Sequence, residues 1–337
     1  MSLIVAALKP RSILIATDFS EASEKALRYS LALARFYGSE LCFAHVVSSL
    51  GPAMAGPGAI AACEEAVSRE AADLEESLIQ TGVLTGIQHK FIVRRGELWP
   101  ELQEIIRQER ADLLVVGTHG RHSIAKLFFG SIAEQIFRQA DCPVLTLGPH
   151  SDGRPCFGTS STRRTFLFAT DFGHASLQGL PQAIAAANQF GAKLAFLSII
   201  PAAPSSTDEA LTDRQEDARM RTQQRLTELA DNAGLDLRPE LYAEFESGLR
   251  PLSEKILETA DKLRADLIIM GLHDSAYTGV ISHLDLASTY DVVCQAGSPV
   301  LTVNCSSGYD LRARPTKVTA SPLSDTDAIR SHGFGAK

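Results

Sequence analysis

The sequence predicts an α/β protein made of two doubly wound, five-stranded parallel sheets, joined as a pseudo-dimer within one chain. Three observations predict it. First, the chain repeats itself. Leu14-Ile-Ala-Thr-Asp-Phe19 returns as Leu167-Phe-Ala-Thr-Asp-Phe172, Ala111-Asp-Leu-Leu-Val-Val-Gly117 as Ala265-Asp-Leu-Ile-Ile-Met-Gly271, and Cys142-Pro-Val-Leu-Thr-Leu147 as Ser298-Pro-Val-Leu-Thr-Val303. Three matches in one order, about 154 residues apart, mean a duplicated domain rather than a solenoid unit. Second, each copy alternates short apolar runs with helical periodicity, which implies parallel strands and right-handed crossovers. Third, the apolar run ending at Val116 passes through a glycine-rich stretch into a helical pattern at Ser131. Strand, glycine loop and helix start together suit the phosphate-facing turn of a doubly wound sheet.

Taken in order, the first copy reads as strands near residues 12–17, 40–47, 88–94, 112–117 and 143–147. Helical patterns lie near 20–37, 60–81, 98–109 and 131–140. Ala26, Leu27, Tyr29, Leu31, Leu33 and Ala34 give the first helix its apolar stripe. The second copy has strands near 165–169, 193–199, 237–243, 266–271 and 299–303. Between the copies, residues 149–162 are rich in turn formers and read as a linker. Residues 306–337 are polar, lack periodicity and read as a disordered tail. The expected division is therefore 1–150, 163–305 and the tail.

Five strands allow the order 3-2-1-4-5. The winding then reverses between strands 1 and 4, and a ligand crevice forms at their carboxyl ends. Strand 1 ends at Ala16-Thr17-Asp18 and strand 4 at Val116-Gly117. The Asp18 carboxylate suits ribose hydroxyls, and it equally suits capping of the helix that follows. Ala44-His45-Val46, at the end of strand 2, borders the crevice, where backbone groups either meet a base or simply pair in the sheet. The loop carries Gly117, His119, Gly120, Gly130 and Ser131 in a Gly-x2-Gly-x9-Gly-Ser spacing. Glycines let backbone N–H groups approach an anion, and the unpaired N–H groups of a helix start favour one. Ser131 with Glu134 fits a capping box. An ordinary turn followed by an ordinary capped helix would read the same way.

These residues resemble the universal stress protein (UspA-like) family, over both copies from about residue 10 to residue 305. The resemblance implies an adenine-nucleotide α-hydrolase-like fold and bound ATP. The adenine would lie near Ala44, His45 and Val46, and the ribose at Asp18. The phosphates would lie on Gly117, His119, Gly120, Gly130, Ser131 and Ile132, and Ala16, Thr17 and Val116 complete the nucleotide-binding set. It also implies dimerisation through strand 5 and a role in stress response. The chain departs from the nucleotide-binding branch by carrying Ala133 where a hydroxyl residue is common. Magnesium, when it accompanies ATP, would ride on phosphates and water, since no Asp/Glu cluster is placed to hold it. Gly-Lys-[Ser/Thr] does not occur, so there is no Walker lysine. Arg121 and Lys126 are either phosphate-neutralising or solvated loop charges, and His122 adds little.

The second loop differs. Gly120 is replaced by Asp274, and Gly130-Ser131 by Leu284-Asp285 or Leu286-Ala287, depending on register. Carboxylates at a helix start satisfy its N–H groups themselves and repel a triphosphate. One triphosphate per chain is expected, held by the first copy. The second would take an uncharged adenosine-like ligand or nothing.

The balance of 32 Lys and Arg against 40 Asp and Glu gives a net charge of −8, which argues against a nucleic-acid partner. The apolar start at Leu3–Leu8 is too short for a signal-peptide core, and no apolar run is long enough for a membrane span. The six cysteines form no Cys-x-x-Cys pair, which fits a reducing cytoplasm. Three functions remain open at this level: an ATP-binding stress or signalling module, a slow ATPase or other adenine-nucleotide enzyme, and a structural protein whose loop is a relic. Each is compatible with an internal pairing of the two copies or a homodimer.

Overall fold

The computed structural model describes residues 9–18, 21–48, 57–117, 131–151, 153, 155, 164–201, 209–246, 251–272 and 286–304. The first copy runs β1 (Ser12–Ala16), α1 (Glu21–Tyr37), β2 (Glu40–Ser48), α2 (Pro57–Gln80), β3 (His89–Gly96), α3 (Leu98–Glu109), β4 (Leu113–Gly117), α4 (Ser131–Gln139) and β5 (Val144–Leu147). The second runs β6 (Thr165–Ala169), α5 (His174–Gln178), α6 (Leu180–Phe190), β7 (Lys193–Ile200), α7 (Glu209–Asp231), β8 (Glu240–Phe245), α8 (Leu252–Leu263), β9 (Leu267–Leu272), α9 (Leu286–Gln295) and β10 (Val300–Asn304). Each copy has the strand order 3-2-1-4-5, and the two join into one ten-stranded sheet, β3-β2-β1-β4-β5-β10-β9-β6-β7-β8.

The elements follow their residues. All six stripe residues of α1 are buried. Alternation in the strands splits the core between the two faces of the sheet: Ile13 and Ile15 join one cluster, Leu14 and Ala16 the other. β8 begins at Glu240, later than its apolar pattern suggests. Pro239 has no N–H to give a ladder, and Glu240 is the first residue paired, with Ala195. Helix α2 starts earlier than expected, at Pro57, whose fixed φ suits the first helical position.

The repeated Arg-Ala-Asp-Leu motif proves to be scaffold. Arg110 and Arg264 both cap the preceding helix in the left-handed region (φ 49° and 48°). Two residues on, Asp112 accepts the backbone N–H groups of Arg11 (2.8 Å) and Ser12 (3.2 Å), and Asp266 accepts that of Thr165 (2.9 Å). In each copy this aspartate ties the foot of strand 4 to the foot of strand 1.

The copies meet through their fifth strands, as the apolar sheet edges require. β5 and β10 pair antiparallel about Leu145↔Leu301, with Thr146 opposite Val300 and Val144 opposite Thr302. Both fifth strands are thereby paired on both sides, so a second chain could use either only by displacing the other copy. The seam is not symmetric in detail. Asn304 donates through Nδ2 to the Phe137 carbonyl (3.1 Å) and to that of Arg138, at the end of α4. At the matching position of the first copy, one residue past β5, Gly148 lies so close to α9 that a Cβ there would sit 2.6 Å from the Val293 carbonyl. Farther out, the Tyr37 hydroxyl meets Gln189 Oε1 at 3.0 Å, and Phe36 packs on Phe190.

Candidate functional site

The crevice of the first copy is built from the ends of β1 and β4 and the middle of β2 at one level, for β2 runs on beside β3 as far as Ser48. Ala16 is opposite Ala44 on one side and Val116 on the other, and all three are buried. Gly117 ends β4 one step above. Thr17, also buried, donates its N–H to the Ala44 carbonyl (2.9 Å). Beyond that rung the ladder gives way to side chains. The Thr17 carbonyl is met by His45 Nδ1 at 2.8 Å, which makes Nδ1 the protonated nitrogen of the neutral ring. Asp18, half-buried, donates its N–H to Ser23 Oγ (3.2 Å), and Ser23 donates back to Asp18 Oδ1 (2.6 Å). Desolvation pushes the His45 pKa below its ordinary value of 6.5, against the opposing pull of the Thr17 carbonyl and the charges of Asp18 and Glu70.

The sequence pattern of the universal stress protein family matches residues 10–147 and again 162–304. The chain belongs to this family. A universal stress protein of Methanocaldococcus jannaschii is 26% identical over 139 residues, covering 41% of this chain and 81% of that protein. One of Thermus aquaticus is 28% identical over 136 residues, covering 40% of this chain and 96% of its own length. Among solved structures, a universal stress protein of Archaeoglobus fulgidus covers 87% of this chain and 96% of its own at 19% identity, with a TM-score of 0.59. A functionally unknown protein of Pseudomonas aeruginosa covers 89% and 94% at 20% identity, with a TM-score of 0.54. These likenesses show the fold: tandem universal stress domains on a mostly parallel sheet.

Of the residues that the sequence singled out in this universal stress protein, the structure brings Ala16, Thr17, Asp18, Ala44, His45, Val46, Val116 and Gly117 together at one end of the sheet. Ser131 and Ile132 open helix α4, while their side chains, and with them the expected capping box, lie outside the described residues. His119, Gly120, Arg121, His122, Lys126 and Gly130 lie outside them too, as do Asp274, Asp285 and the tail. Ser23 went unnoticed in the sequence. Its signal was available: a serine stands five residues after the strand-1 aspartate in both copies, Ser23 after Asp18 and Ser176 after Asp171.

The second universal stress domain keeps those residue types and wires them differently. Thr170 N–H still meets the strand-2 carbonyl, that of Leu197, at 2.8 Å. But Ser176 Oγ pairs with Thr170 Oγ1 (3.0 Å) and donates to the Gly173 carbonyl (3.1 Å). Asp171 Oδ1 accepts the N–H of Gly173 at 2.8 Å, a tight local turn, and the intervening Phe172 stands at φ 59° with the Arg225 guanidinium 4.0 Å above its ring. The position of His45 is taken by Ser198, which is buried. The helix that follows is broken at Gly179 into α5 and α6, because Pro181 cannot donate within the turn.

Cys42 and Cys142 are buried free thiols, each pushed up to about 12 chiefly by desolvation, so neither is a ready nucleophile. Among the described residues, no three His, Cys, Asp or Glu side chains cluster as a metal site, and no helix is long and apolar enough to cross a membrane.

Proposed function

We propose that the first domain, residues 1–150, binds ATP at the crevice between β1 and β4, and that the protein acts as a nucleotide-responsive stress or signalling module. The observation that carries this reading is the meeting of Ala16, Ala44 and Val116 at the point where the winding reverses, with Asp18 two residues beyond Ala16. The donor set fits the ligand. Asp18 supplies acceptors for ribose hydroxyls. Ala44 faces β1, and in a parallel strand residues two apart share a side, so Val46 presents its N–H and C=O one rung beyond β1, within reach of an adenine edge. Gly117 and the helix start at Ser131 flank the place for the phosphates, and the glycine spacing between them in the sequence suits backbone N–H contacts, with magnesium carried on the phosphates and water. The second domain, 163–305, holds no triphosphate, because Asp274 and Asp285 would repel it and Asp171 is engaged in its own turn. A cytoplasmic setting belongs to the same reading.

Mass spectrometry of ligand released from the purified full chain should find an adenine nucleotide. Equilibrium dialysis should find close to one ATP per chain. For a Kd of about 10 μM, 1 mM ATP would stabilise the protein by roughly 2.7 kcal/mol. No nucleotide recovered and no thermal shift with ATP, ADP or AMP would end this reading. Two equivalent sites per chain would end the asymmetry.

A further inference from the structure

We propose that His45 is a positioning residue that fixes the ribose-binding carboxylate of Asp18 without touching the nucleotide; this rests on the ATP reading above. The geometry concerns one peptide plane. The carbonyl of Thr17 and the N–H of Asp18 belong to the same rigid unit, and both ends of it are held by side chains. His45 Nδ1–H holds the carbonyl at 2.8 Å, and Ser23 Oγ holds the N–H at 3.2 Å. Ser23 then closes a ring by donating to Asp18 Oδ1 at 2.6 Å. With the plane pinned at both ends, the Cα of Asp18 is placed, and the Ser23 hydroxyl on Oδ1 then holds the carboxylate in a defined position before any ligand arrives. Such preorganisation raises affinity by lowering the ordering cost of binding.

The second copy supplies the comparison. Its strand-1 end carries the same Thr-Asp pair on the same rung, with a serine again five residues on, but Ser198 replaces the histidine. A serine side chain is too short to stand in for the imidazole across that span. There the serine hydroxyl bonds Thr170 Oγ1 and the Gly173 carbonyl, and the aspartate carboxylate takes the N–H of Gly173. The serine and the aspartate are thus wired differently in the two copies, and two sets of residues differ around them: His45 against Ser198 on the facing strand, beside Ala44 against Leu197 and Val46 against Ile199, and Ser20-Glu21 against Gly173-His174 after the aspartate. The tether needs only an N–H at Nδ1. Imidazole supplies it in either protonation state, and an asparagine Nδ2 sits in nearly the same place.

The test uses the full chain and calorimetric titration with two ligands, ATP and 2′,3′-dideoxy-ATP, which lacks both ribose hydroxyls. His45→Leu should weaken ATP binding about 3- to 10-fold, the worth of one net hydrogen bond. It should leave the dideoxy ligand within about 2-fold, because that ligand makes no use of Asp18. His45→Asn should restore most of the lost ATP affinity. Equal losses for both ligands would overturn the proposal, since they would mean a general disturbance of the crevice. Unchanged ATP affinity in His45→Leu would overturn it as well, as would failure of His45→Asn to rescue. If the parent chain bound neither ligand, the ATP reading would fall and take this one with it. A parent that binds ATP beside a His45→Leu variant that binds it equally well would remove the tether alone.

Discussion

The two copies share strand order, rung-by-rung register and the arginine-capped helix before strand 4, yet they part company within a few residues of strand 1's carboxyl end. Arg110 and Arg264, Asp112 and Asp266, Leu145 and Leu301 do the same work in both. Asp18 and Asp171 do not. The difference teaches that scaffold positions are fixed by burial and backbone pairing, which every copy of the fold must satisfy. A carboxylate at the mouth of a crevice has no such obligation. It needs some partner, and a backbone N–H two residues away serves as well as a distant side chain.

The comparison can be broken most sharply at the loop. Gly130→Asp gives the first copy the kind of charge that the second already carries near its helix start, so ATP affinity should fall at least about 100-fold, a loss of roughly 2.7 kcal/mol or more, while the fold persists. Titration calorimetry beside far-UV circular dichroism reads both, and undiminished binding would show that the phosphates lie elsewhere. Next come the paired aspartates. Asp18→Ala should cost about 10- to 100-fold in ATP affinity, as expected for charged hydrogen bonds of roughly 1.5–3 kcal/mol. Asp171→Ala should leave affinity and stoichiometry where they were; a matching loss from Asp171→Ala would mean that the copies are equivalent after all.

At the seam the asymmetry is one of packing. Gly148→Ala forces a methyl group against the Val293 carbonyl and should destabilise the chain by about 1–3 kcal/mol. Asn304→Ala leaves the α4 carbonyls without their donor and should cost about 1–2 kcal/mol. Urea unfolding of the two variants would rank them, and a neutral Gly148→Ala would show that α9 yields freely. The smallest effect concerns pH. His45 has a folded-state pKa below 6.5, so the unfolded chain takes up that proton more readily, and stability falls as pH drops below about 6.5 toward the lowered value. His45→Asn should flatten that part of the stability curve, whereas Ser198→Ala should leave it as it is. An unchanged acid limb in His45→Asn would place the charged histidine in a far better solvated setting than its burial suggests.

The strands and the first copy's helices were legible in the sequence to within a few residues, because apolar alternation and helical stripes are local signals. β8 slid toward its carboxyl end because one proline outweighs an apolar pattern where a ladder must start. Half of the crevice was legible for the same reason: Thr17-Asp18 and Val116-Gly117 end apolar runs, and the winding rule brings those ends together. Ser23 escaped because a serine inside a helix looks like any other until the aspartate five residues earlier folds back onto it. The break at Gly179 has a visible cause in Pro181, whereas the Phe172–Arg225 stack joins residues whose meeting no spacing announces.

By itself, the sequence determined the duplication and the α/β class, which follow from repeated motifs and alternating strand and helix periodicity. The strand order and the pairing of the fifth strands were expectations drawn from the strand count, the apolar edges and the family resemblance, and the sheet bears them out. Only the tertiary structure decided how each aspartate is held and how the seam is fitted. Those outcomes turn on contacts between residues far apart in the chain, His45 on the Thr17 carbonyl and Asn304 on the end of α4. Such contacts are set by where the packed sheet places a donor within about 3 Å of an acceptor. A pattern of residue types gives the direction of a side chain, but not the ångström that makes or loses a hydrogen bond.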